Sequence, residues 1–238
     1  MTMTNKDQNT YNINTDGLLG CPLSPSDLHN LASSYITPEL AEQALLRRVD
    51  TVEGTRVVGR RDKVSNYAGI VFPYVWPGEQ MPREYRLRRD QPDLEHNAEG
   101  KLKQRAKYVS PPGRGNLLYF LPGTDPVLLS DAAVPLAITE GEKKTLALRR
   151  LSSHDTDKPR FLPVGLSGVY NWRGNRGKAP APNGEMVPVK GPIPDLERIT
   201  WNGPIVYIIF DANAKDNIHD SPLHAAVSGS TKRSLRHC

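Results

Sequence analysis

Cysteine is scarce: Cys21 and Cys238 stand near opposite ends of the 238 residues, with no Cys-x-x-Cys pair. This argues against both a disulfide framework and a structural zinc site, which needs clustered thiolates or histidines. The six histidines are scattered as well. Long apolar runs are also missing. The longest, around Val134 to Ile138 and Ile205 to Phe210, fall far short of the roughly 20 residues a membrane-spanning helix requires. They read as buried strands, and no membrane partner is expected. The first residues, MTMTNKDQNTYNINTDG, lack the basic-then-apolar order of a secretory signal, so a cytoplasmic location is the expectation. No Ser/His/Asp or Cys/His arrangement suggests nucleophilic catalysis. Gly113 to Asn116 is glycine-rich but lacks the Lys-Ser/Thr ending of a phosphate-binding P-loop.

What the chain does have is positive charge in one place. With 37% hydrophobic and 24% charged residues it has the make-up of a globular protein with one sizeable core or two small ones. Its formal net charge is +5, and Arg47 to Lys107, with 14 basic and 9 acidic residues, carries +5 by itself. A basic surface concentrates phosphate polyanions and binds nucleic acid through counterion release. Ordinary solvated faces also carry Lys and Arg, so charge alone does not decide.

Residues 1–25, rich in Thr, Asn, Ser and Pro, are expected to be disordered. A basic α+β region follows over 26–125. Helices are predicted around Ser26 to Ser33, capped by Ser24 or Ser26, and from Thr37 through Arg48, where Thr37-Pro38 matches an N-cap with proline at the first helical position. From Thr55 to Arg89 short β-like runs broken by Gly and Pro predict hairpins, with Tyr67, Ile70, Phe72, Tyr74, Tyr85 and Leu87 facing inward or lining a groove. Gln91 to Gly100 reads as a polar loop. The core, 126–217, alternates strand (Val134 to Thr139), helix (Glu142 to Leu151) and strands (Phe161 to Val164, Gly203 to Phe210), which predicts βαβ units and a parallel sheet. Asn171 to Pro194 reads as a long Gly/Pro/Lys-rich loop, and residues 218–238 as an irregular tail.

Two strand ends carry the candidate chemistry. In LAITEGEKKTLALRR an apolar strand delivers Glu140, Gly141 turns, and a helix begins with Lys143 and Lys144 close by. The carboxyl edge of such a sheet is where ligands bind, and amides at a helix start can face an anion. In GPIVYIIFDANAKDN a second strand delivers Asp211 and then Asn213. If the strands are neighbours, Glu140 and Asp211 converge, and such hard oxygen donors suit Mg²⁺ or Mn²⁺ held jointly with a substrate phosphate. Arg86, Arg88 and Arg89, with Tyr85, Lys107, Tyr108 and Arg114, interleave rings and cations as a single-strand channel would, and an amphipathic hairpin explains them nearly as well. Trp172 and Arg173 suit either stacking on a base or packing under the long loop.

The segments ITEGEKKTLAL, VGLSGVYNWRG and VYIIFDANAKDN, within about Tyr85 to Asn217, resemble an uncharacterised TOPRIM-like domain-of-unknown-function family. That family occurs in phage, plasmid and other mobile-element replication proteins beside primase or helicase modules. The resemblance implies a TOPRIM-like (Rossmann-like) α/β fold, a parallel sheet flanked by helices after the small α+β region. It also implies Glu140 as general acid or base, with Lys143 beside it, and Asp211 with position 213 as ligands of Mg²⁺ or Mn²⁺. Two departures stand out: Asn213 replaces the usual second aspartate, and after Asn217, where the resemblance implies a further helix and strand, the chain is short and polar, so a truncated last element is the expectation. Two functions are therefore expected, with a truncated, inactive fragment as the remaining alternative. One is primase-like nucleotidyl or phosphoryl transfer in mobile-element replication, with Lys144, Trp172 and Arg173 among the contacts to single-stranded DNA. The other is a non-catalytic module that grips single strands or recruits a replicative helicase.

Overall fold

The structure is a computed structural model that describes residues 19–60, 65–97, 100–156, 158–201, 203 and 205–211. Helix α1 (Pro25–Ala32) begins at a capping box. Ser24 Oγ accepts from the Asp27 amide, the Asp27 carboxylate accepts from the Ser24 amide at 2.9 Å, and Pro25 fills the first helical position. Helix α2 (Pro38–Gln43) is capped by Thr37 as predicted but stops short of Arg48, because Leu45 takes a φ of 53° and strand β1 (Arg47–Val49) pairs with its neighbour instead. Helix α3 (Thr51–Val57), capped by Asp50, starts before the segment that was expected to be β-like and continues into it.

Arg48 ties these pieces together, bonding Asp27 of α1 in a bidentate pair and Asp90 at 2.6 Å. Burial alone would raise the Asp27 carboxyl, but hydrogen bonds from Arg48 and Ser24 and the Arg48 charge outweigh it and hold the value at about 2, below its ordinary 3.8. A depressed folded-state value means that the stabilisation, about 2 kcal/mol, is complete above about pH 4 and is lost as pH falls toward 2. Urea unfolding of the wild type and Asp27→Asn across that range should show the gap between them closing toward the acid end. A gap independent of pH would contradict the assignment.

The remaining elements in chain order are β2 (Gly69–Tyr74), β3 (Glu84–Arg89), β4 (Asp93–His96), β5 (Leu102–Arg105), β6 (Tyr108–Val109), β7 (Leu118–Tyr119), a 3₁₀ turn (Pro126–Leu129), β8 (Leu136–Glu140), α4 (Glu142–Ser152), β9 (Leu162–Leu166), β10 (Arg173–Pro180), β11 (Met186–Pro192), α5 (Pro194–Glu197) and β12 (Val206–Ile209). The fold is mixed α/β with several small sheets. One sheet, in the order β1-β2-β3-β6, is antiparallel throughout. The other runs β12-β8-β9-β7; β8 is parallel to both its neighbours, and β7 closes the edge antiparallel. The expected parallel sheet is thus a mixed one, and its edge strand comes from residues before 126. The predicted polar loop at Gln91 to Gly100 holds β4, which pairs with β5, and the predicted loop at Asn171 to Pro194 holds the ribbon β10–β11.

Strand β2 is buried along its whole length because both faces are covered. Ile70, Phe72 and Tyr74 pack with Leu31, Leu40, Tyr119 and Leu146, while Val71 packs with Val49 and Leu87. The second sheet has its own cluster, in which Leu118, Phe120, Ile138, Val164 and Trp172 meet. Pro163 sits inside β9 without loss of a ladder bond: Leu162 donates to Pro135 on the β8 side, so position 163 faces the other way, where β7 pairs only from Gly165 on. Helix α4 lies close on β9, and a Cβ at Gly165 would come within 2.4 Å of Thr145 Oγ1. Asp195 pins α5 in place: it takes the Arg83 fork at 2.8 and 3.0 Å and accepts from the Leu118 amide at 2.8 Å.

Candidate functional site

Strands β8 and β12 are hydrogen-bonded neighbours running in the same direction, with Thr139 opposite Ile209, so Glu140 and Asp211 leave the sheet at one edge. Thr139 Oγ1 adds a cross-strand bond to the Ile209 carbonyl at 2.9 Å. The turn after Glu140 depends on Gly141, whose φ of 87° is disfavoured for any residue with a Cβ, and whose amide donates to Leu166 O at 2.7 Å. One turn into α4, the Lys144 ammonium lies 2.7 Å from Asp211 Oδ2 and 4.0 Å from Glu140 Oε2. Both acids thus face one cation.

That ammonium lies within 4.0 Å of a carboxylate oxygen of each acid, and oxygen donors of this kind are the type that Mg²⁺ and Mn²⁺ take. Asn213 lies outside the described residues, and among the described residues no three His, Cys, Asp or Glu side chains converge to hold a metal ion.

Behind the edge is a buried polar group that pattern reasoning did not single out. Glu142, 1% exposed, accepts from the Tyr74 hydroxyl at 2.5 Å and from Arg86 Nη1 at 2.7 Å, while Arg86 Nη2 donates to Ser167 O at 3.0 Å. Burial and then the Glu142 charge push Tyr74 well above the usual tyrosine range, which keeps it a proton donor. Burial alone would lower Arg86, but Glu142 and Tyr74 outweigh it and hold the guanidinium charged. This network joins β2, β3 and the first residue of α4. Glu142, two residues past Glu140, falls among ordinary helix-start acids in the sequence, and nothing local shows that a tyrosine 68 residues earlier meets it.

The predicted nucleic-acid contacts separate into groups. Lys143 is part-buried at the start of α4, and its ammonium is pushed below the usual lysine range by burial and by the charges of Arg88 and Lys107, which brings these three cations into one neighbourhood. Lys107 and Arg114 are exposed. Arg86 is mostly covered, and its guanidinium lies 5.1 Å from the Tyr108 ring centre. Arg89 corrects the expectation of a channel: at 1% exposure it is a core residue, forked onto Asp93 at 2.8 Å and bonded to Asn66 O at 2.7 Å, where three acceptors compensate its burial. Trp172, 5% exposed, packs in the core cluster and is not a stacking platform, while Arg173 above it is exposed.

Residues 126–232 match the model of a family described as a domain of unknown function (DUF3854). This segment is similar to an uncharacterised domain family. No curated protein and no solved structure matches the chain. Glu140, Lys144 and Asp211 fall inside the matched span, as does Glu142, whereas its partners Tyr74 and Arg86 fall outside it. No helix among the described residues is long and apolar enough to cross a membrane.

Proposed function

We propose that the carboxyl edge of the second sheet works on nucleic-acid phosphates as a TOPRIM-like site, in a protein accessory to the replication of a mobile element. What supports this reading above all is the meeting of Glu140 and Asp211 on a single ammonium at adjacent parallel strand ends. In it, Glu140, Asp211 and Asn213 would hold Mg²⁺ or Mn²⁺, which when bound offsets charge on a phosphoryl oxygen. Lys143 and the first amides of α4 orient the phosphate. Glu140 takes or gives the proton at the attacking or leaving hydroxyl. Arg88, Lys107 and Arg114 lead single-stranded DNA toward the edge. Incubation with Mn²⁺, nucleotides and single-stranded DNA should give product with the wild type and at least a hundred-fold less, roughly, with Glu140→Gln. Product insensitive to the substitution removes Glu140 from the chemistry.

A second reading, a non-catalytic module that grips single strands or recruits a helicase, is favoured by the Lys144–Asp211 contact, because an acid already neutralised by an ammonium needs no metal. It requires salt-dependent DNA binding that survives both chelation and Glu140→Gln. Binding lost on chelation counts against it.

A further inference from the structure

The ribbon β10–β11 sorts its side chains through its register. In an antiparallel pair, successive residues alternate between faces and directly opposed residues share one. Arg173 opposite Pro192 and Asn175 opposite Lys190 therefore lie on one face, and Gly174 opposite Gly191 lies on the other. Between Asn175 and Gly177 the register shifts by one residue of β10, leaving Arg176 as the extra one. Such a bulge reverses the parity of everything beyond it. Lys178, opposite Pro188, is thereby carried onto the face of Arg173 and Lys190. Gly177, with φ at 141°, supplies the backbone conformation the bulge uses.

The two faces differ in chemistry. Arg173, Lys178 and Lys190 are all exposed on the first, and among the described residues none has an ion-pair partner. The second carries Ala179, Val187 and Val189, and there Arg176 lies across Gly191 and is neutralised by Glu197 at 2.6 Å. The base of the ribbon is fixed, since Trp172 and Ile193 are buried in the core and joined by a backbone bond at 3.0 Å. A rigidly rooted, projecting ribbon thus presents three uncompensated cations on one side.

We infer that this face docks on the phosphate backbone of duplex DNA. The charge is complementary to phosphate, and a two-stranded ribbon is a shape the major groove admits. Single strands are held by aromatic stacking as well as charge, and this face of the ribbon carries no aromatic ring. The inference shares its ligand class with the function proposed above but uses a different surface and a different form of the nucleic acid.

Fluorescence anisotropy with a labelled duplex, and separately with a labelled single strand of the same sequence, tests it. Lys178→Ala with Lys190→Ala is compared against Lys103→Ala with Lys158→Ala, an equal loss of charge elsewhere on the surface. The ribbon pair should weaken duplex binding roughly ten-fold and lower the salt slope by about 2, while the control pair leaves both unchanged. Equal weakening by both pairs, an unaffected duplex, or an equal loss of single-strand binding would each overturn it. A wild type that binds the single strand but not the duplex sinks only the ribbon; one that binds neither sinks the nucleic-acid reading of the sheet edge as well.

Discussion

Exchange of Glu142 for alanine should lower the free energy of unfolding by about 3–5 kcal/mol, because it strands a mostly covered guanidinium without its partner. For a chain of this size that corresponds to a melting temperature lower by roughly 10 °C or more. The expectation rests on three contacts: Tyr74 and Arg86 on one carboxylate oxygen, and Arg86 on Ser167 O. Loss of one member is worse than loss of both, since a buried charge costs most when unpaired. Glu142→Met combined with Arg86→Met should therefore recover a large part of the loss, and Tyr74→Phe alone should cost only about 1–2 kcal/mol. Urea unfolding of the four proteins decides it. A Glu142→Ala variant within about 1 kcal/mol of the wild type would mean that the buried network contributes little.

Lys144→Met should tighten Mn²⁺ binding about ten-fold, because the ammonium and the metal compete for the same two carboxylates. At about 4 Å, unit charges interact by about 1–4 kcal/mol across the range from water-like to surface-like screening, and the exposure of this lysine places the effect near the weaker end. Titration followed by the paramagnetic signal of free Mn²⁺ reads affinity without relying on activity. Asp211→Asn should weaken binding in either background. Unchanged affinity in Lys144→Met would show that the metal lies elsewhere. No binding in either protein would leave the non-catalytic reading in possession of the edge.

The convergence of Glu140 with Asp211 was legible because each stands at the end of a compact apolar run, and such runs become adjacent strands whose carboxyl ends share an edge; β12, expected to be buried, is instead the outer strand among the described residues, with Ile205 and Ile209 exposed. The capping chemistry at Ser24 and Thr37 was legible for the same local reason. What could not be read was decided by partners distant in the chain. The helix from Thr37 ends at Gln43 because residues 47–49 find a ladder on β2. Arg89 looks like any surface arginine until Asp93 and Asn66 enclose it. The ribbon escaped because a strand pair exposed on both sides needs no apolar alternation, so Gly, Pro and Lys can occupy it and imitate a loop.

Tyr119 and Leu121, which precede the segment shared with the uncharacterised family, pack in one cluster with Leu146 of α4, and β7 completes the sheet that carries Glu140. A fragment trimmed to the family boundary would lose an edge strand and bare an oily seam along the helix beneath its own acidic rim. Insolubility of such a fragment would then speak of amputation, and a fragment from which failure to act has meaning must keep β7 and the residues that follow it.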